Sequence, residues 1–171
     1  MAMDPNQLYV VVAQIAAAFA GFGSIASGLG RRSGGDDARI DAHRLATMLV
    51  ASLSATLLGL LPATLAGLAL SDRWALGGSS IVALVVIVAY APAAVGRALQ
   101  IRKVAGFSMG ANIANLGCVL IAVAAFALCA LGLPADRLGA LYLVGLMALL
   151  GSSIVMFSRV IASMLRPHNE A

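Results

Sequence analysis

Of the 171 residues, 61% are hydrophobic and 11% charged, and the mean hydropathy is +0.99. A water-soluble domain carries about 25% charged residues, so this chain has too little polar surface for a soluble fold and needs lipid as solvent. The net charge of +4 comes from ten arginines and one lysine against seven acidic residues. No aromatic residues interleave with the basic ones in the manner of a nucleic-acid surface, so the excess reads as membrane topology and no nucleic-acid partner is expected.

Stretches free of Asp, Glu, Lys and Arg cover 5–30, 45–71, 74–96, 104–135 and 138–158. A spanning helix needs about 20 apolar residues, and all five runs qualify. Trimming their polar and turn-like ends predicts an all-α, polytopic membrane bundle. Its five transmembrane helices lie near 7–29, 45–70, 75–96, 112–133 and 138–160, in a single domain over 1–171. The first run follows MAMDPNQ, which lacks the basic residues of a signal peptide, and it is read as a retained span.

The first helix is built from small residues and ends in AGFGSIASGLGRR. Membrane helices associate through close van der Waals contact, which small residues permit. Ala17 with Gly21, Ala20 with Ser24, Gly23 with Ser27 and Ser24 with Gly28 all have this spacing. Small residues on several faces place the helix at the centre of the bundle or at a subunit interface. Along one face run Gln14, Ala18, Gly21, Ser24 and Gly28, the candidates for helix packing or for lining a narrow pore.

The following loop, RRSGGDDARIDAHR, carries Arg31, Arg32, Arg39 and Arg44. Arg31 and Arg32 stop the first helix at the membrane surface. The second helix is expected to begin near Asp37 and to project from the membrane before entering it. Asp37 and Asp41 share a face but His43 does not, so a solvated helix start is preferred to a metal site. Ser52, Thr56, Gly59, Ala63 and Gly67 form a small-residue stripe. Pro62 removes a helical N–H, and Thr64 is placed to help satisfy the freed backbone.

The third loop holds Arg97, Arg102 and Lys103, and the C-terminal end holds Arg159 and Arg166. The second and fourth loops hold only Arg73 and Arg137, a split of nine against two. Basic loops stay cytoplasmic, which predicts the N-terminus outside and the C-terminus inside. Arg31, Arg32, Arg97, Arg102 and Lys103 then act as cytoplasmic anchors. Tyr9, Trp74 and Tyr142 fall at the outer helix ends, where amphipathic rings favour the interface. Asn112 and Asn115 open the fourth helix. Cys118 and Cys129 share a face of it about 16 Å apart along the axis, too far for a disulfide with each other. Gly151, Ser152 and Ser153 soften the inner half of the fifth.

The predicted membrane cores contain no Asp, Glu, Lys, Arg or His. Carboxylate proton relays, axial haem ligation by histidine and a retinal Schiff base therefore lack their residues. No catalytic triad, phosphate loop or zinc spacing occurs, so a non-enzyme with no metal and no cofactor is expected. Three classes remain: a homo-oligomeric channel with the first helix central, an accessory or assembly subunit docked on another membrane protein, and a small neutral-solute carrier.

The stretches AGFGSIASGLGRR, SLSATLLGLLPATLAG and LGALYLVGLMALLGSSIVMFSRVI together resemble a family of small bacterial multi-span membrane proteins without assigned function. The resemblance implies location in the bacterial inner membrane and transfers no site. YAPAAVGRALQIRKVAGFSMGANIANLG is similar to the PQ-loop repeat of SWEET-type sugar carriers. Pro92 is here followed by Ala93 instead of Gln, and the five helices show no three-helix repeat.

Overall fold

The computed structural model describes the backbone of residues 5–29, 36–68, 70–101 and 109–164, and the side chains of 7–25, 42–68, 70–99 and 109–162. Among the described residues the chain is all-helical, with no strand. The helices are α1 (Pro5–Leu29), α2 (Asp36–Gly67), α3 (Asp72–Ile101), α4 (Met109–Ala130) and α5 (Leu138–Met164), with a short 3-10 turn at Ala135–Arg137. Each of the five is long and apolar enough to cross a membrane.

Local chemistry accounts for the ends. Helix α2 starts at Asp36, as the acidic pair in the loop suggests, and α3 starts at Asp72. An acidic residue at a helix start complements the exposed N–H groups and the positive end of the dipole. Helix α4 stops three residues before the expected Leu133. Gly132 adopts a left-handed backbone with φ of 73°. Its N–H bonds to Cys129 O, and the Leu133 N–H bonds to Leu128 O, both at 3.0 Å. This is a Schellman stop, which glycine enters without a Cβ penalty. Pro134 follows immediately and cannot continue the helix.

Helices α1 to α4 form an arc around α5, which packs against all four. Among the described residues helix α1 packs chiefly on α2 and α5 and lies at the edge. Of the two places expected for α1, the centre of the bundle or a subunit interface, the first is held by α5. The reason is visible at the core, where Tyr142, Leu146, Leu149 and Leu150 of α5 meet Phe126 of α4 and Leu58 of α2. Tyr142 lies edge-on to both Tyr9 and Phe126, with ring centroids 5.4 Å apart in each pair. Such edge-to-face contacts add to the area term.

The most apolar helix is among the least buried. Within the most hydrophobic window of α4, 22% of residues are buried, against 44% for the less apolar α2. Leu116, Leu120 and Ile121 of α4 and Ile81, Val85 and Val88 of α3 point outward. Beside its large apolar residues, the described interior holds alanines and the polar Thr47, Ser52, Ser79, Ser80, Ser152 and Ser153.

Candidate functional site: the two faces of helix α1

Helix α1 divides lengthwise. Tyr9, Val12, Ala13, Ala16, Ala20 and Gly23 are buried, a 3-4 spacing that traces one helical face. On that face the backbone of α2 comes close. A Cβ at Gly59 would stand 2.8 Å from Tyr9 O and 2.9 Å from the Ala13 Cβ. Thr56 Oγ1 donates to Ser52 O at 2.9 Å and also reaches Ala13 O at 3.3 Å. The first half of the α2 stripe thus packs on α1, whereas Ala63 and Gly67 farther along are exposed.

The sequence-selected stripe lies on the other face. Gln14, Ala18, Gly21 and Ser24 are all exposed outside the bundle, and the surroundings of Gly28 lie outside the described side chains. A Cβ added at Gly21 would meet nothing within 4 Å. Ser24 Oγ donates to Ala20 O at 3.0 Å, which closes its hydroxyl onto its own helix. Gln14 makes no hydrogen bond to a described residue. It lies three residues from the midpoint of the Pro5–Leu29 helix, a displacement of about 4.5 Å along the axis. Its carboxamide carries two donors and an acceptor.

Of the expected cytoplasmic anchors, Arg97 is described. Its guanidinium carbon lies 5.3 Å from the centre of the Tyr90 ring, a cation–π distance. Arg31, Arg32, Arg102 and Lys103 lie outside the described residues. So do the side chains of Asp37 and Asp41, and among the described residues no cluster suited to a metal ion occurs. His43 itself is 8% exposed, and its Nδ1 is buried without a partner among the described residues.

The interfacial aromatic set is also corrected. Trp74 is 73% exposed at the start of α3, as an interface anchor would be, but Tyr9 and Tyr142 are 2% and 0% exposed. Their hydroxyls serve the backbone. Tyr9 Oη donates to Gly139 O at 3.1 Å, joining α1 to α5. Tyr142 Oη donates to Leu58 O at 2.6 Å. Leu58 stands four residues before Pro62, so its carbonyl is the one the proline leaves without a helical donor. Tyr142 therefore repairs the break. Thr64, the residue expected to help, donates to Leu60 O and Leu61 O instead.

The remaining polar residues join helices. Ser152 bonds to Asn115 Oδ1 across α4 and α5. Ser153 Oγ bonds to Leu149 O and reaches Met48 O on α2. Cys118 and Cys129 are free thiols on the α4 face toward α5. Cys129 Sγ lies 3.6 Å from Leu138 O, and Cys118 Sγ lies 3.4 Å from where a Gly151 Cβ would stand.

Two depressions complete the picture. One of about 450 Å³ opens among the ends of α2, α3 and α5, beside Asp72, Arg73 and Asp136. A smaller one, of about 100 Å³, lies among α2, α3, α4 and α5 and is lined in part by Tyr90, Asn115 and Ser152. Neither was legible in the sequence, because each is made by residues from several helices.

No family model, curated protein or solved structure matches the chain.

Proposed function

We propose that this chain is a non-enzymatic, multi-pass membrane protein that works as a homo-oligomer. The polar face of α1 surrounds a shared axis and lines a narrow conducting path. The N-terminus is outside and the C-terminus cytoplasmic, a topology that rests on the nine-against-two distribution of basic residues. The inverted burial of α3 and α4 supports insertion, since water would drive the most apolar helices inward.

The observation that carries the oligomer is Gln14. Facing lipid, its amide would be left unsatisfied in hydrocarbon, at a cost of about 4–8 kcal/mol on a water-to-alkane scale. A second copy, or water on a shared axis, removes that cost. Gly21 and Ala18 on the same face let the helices approach closely. The five apolar segments offer no ionisable group for a proton relay over 7–25, 45–67, 75–96, 109–130 and 138–158, which favours passive conduction over coupled pumping.

Native mass spectrometry of the chain extracted into nanodiscs, paired with flux into liposomes, tests the reading. Three or more identical chains, with Gln14→Leu changing flux at an unchanged copy number, is the expected result. A monomer, or one copy bound to a different protein, overturns the shared axis. If Gln14→Leu only disperses the assembly, Gln14 is an interhelical hydrogen-bonding residue and the conducting role is lost.

A further inference from the structure

The smaller cleft has a basic rim. Its wall is mostly apolar, formed by Val50 and Ala51 of α2, Ile87, Ala91 and Ala94 of α3, and Val119 of α4. Thr47 and Tyr90 also line it. One helical turn beyond Thr47 stands His43, and one turn beyond Ala94 stands Arg97, so both extend the cleft at the same end. Arg44 and Arg97 both lie within electrostatic reach of His43.

Three groups there lack what they are built to bind. His43 Nδ1 and Tyr90 Oη are buried without a hydrogen-bond partner among the described residues. Arg97 contacts the face of Tyr90, and no carboxylate pairs with it among the described residues. Buried polar groups are normally paired, and among the described residues Arg97, His43 Nδ1 and Tyr90 Oη meet no acceptor. The complement is an anion. Because this donor set adjoins an apolar cleft on a membrane-depth surface, the complementary ligand is an amphiphile and not a free ion.

We propose that the cleft and its rim bind an anionic phospholipid. Arg97 holds the phosphate, His43 and Tyr90 donate to its oxygens, and part of one acyl chain lies along Ala51, Ala91 and Val119. The inference depends on insertion in a bilayer and is independent of the α1 oligomer.

The test uses the full chain in phosphatidylcholine nanodiscs doped with a minority of phosphatidylglycerol. Retained lipid is read by native mass spectrometry. Retention of phosphatidylglycerol above its bulk share is expected, with Arg97→Gln lowering that preference about fivefold. Ala91→Phe, which fills the cleft and leaves the rim intact, is expected to lower retention of the lipid without restoring phosphatidylcholine. Should Arg97→Gln fail to fold, Tyr90→Phe removes a single hydroxyl and is expected to lower the preference about threefold or more. Equal retention of the two lipids overturns the proposal, as does a preference unmoved by the rim variants. Displacement of the lipid by inorganic phosphate alone would also overturn it, because the apolar cleft then contributes nothing.

Discussion

The two faces of α1 have nearly the same composition and opposite fates. Toward α2 lie Ala13, Ala16, Ala20 and Gly23, all buried; away from it lie Ala17, Ala18, Gly21 and Ser24, all exposed. Small residues license close approach on either side. What separates the faces is the partner's shape. Gly59 brings the α2 backbone to within contact of Tyr9 O, and no described helix does the same on the other side. Small-residue spacing therefore marks a helix that can be packed closely, without saying which face its own bundle uses.

The comparison breaks most severely at Gly59. Replacing it with Leu drives a side chain into the α1 backbone and Ala13. The expected loss is about 3 kcal/mol, the upper part of the usual overpacking range, read as a lowered midpoint of denaturant unfolding in one fixed detergent. Unchanged stability would show that the α1–α2 seam is looser than its distances imply.

Next in size is Tyr142→Phe, which leaves Leu58 O without a donor. A cost of about 1–3 kcal/mol is expected. Pro62→Ala restores a helical N–H to that same carbonyl, so the loss should shrink in the double variant. A purely additive double-mutant cycle would refute the pairing of Tyr142 with the proline break.

The smallest effect on the fold belongs to Gly21→Leu. Its Cβ enters open space, so unfolding of the single chain should change by less than about 0.5 kcal/mol. The same change should separate the copies if this face joins them. A stable chain that loses its oligomer, seen by native mass spectrometry, sharpens the contrast between the two faces. A retained oligomer would place the interface elsewhere.

Much of this architecture was legible in the residues. Five uninterrupted apolar runs gave five helices, and the turn residues gave most boundaries to within a few positions. The ends of α3 and α4 were less accurate. Helix α3 continues to Ile101 past the arginine at position 97, because a charge alone does not end a helix. Helix α4 ends at Ala130, two residues before Gly132, and a glycine followed within two residues by a proline is a stop signal present in the sequence. The carbonyl freed by Pro62 was also readable, by counting back four residues. Its donor was not, since Tyr142 lies 84 residues away in sequence.

The sequence by itself determined that this chain carries five segments long and apolar enough to cross a membrane, and where its basic residues concentrate, because each depends on composition within a continuous stretch. It also singled out Gln14 as a polar group on the small-residue face of the first helix. Only the tertiary structure decided that α5 takes the centre, that Gln14 faces outward, that Tyr9 and Tyr142 serve the core, and that Tyr90, Arg97 and His43 converge. Those outcomes depend on which helix faces meet. All five helices are apolar on most sides, so hydrophobicity does not mark such faces, and close packing and hydrogen-bond pairing decide them instead.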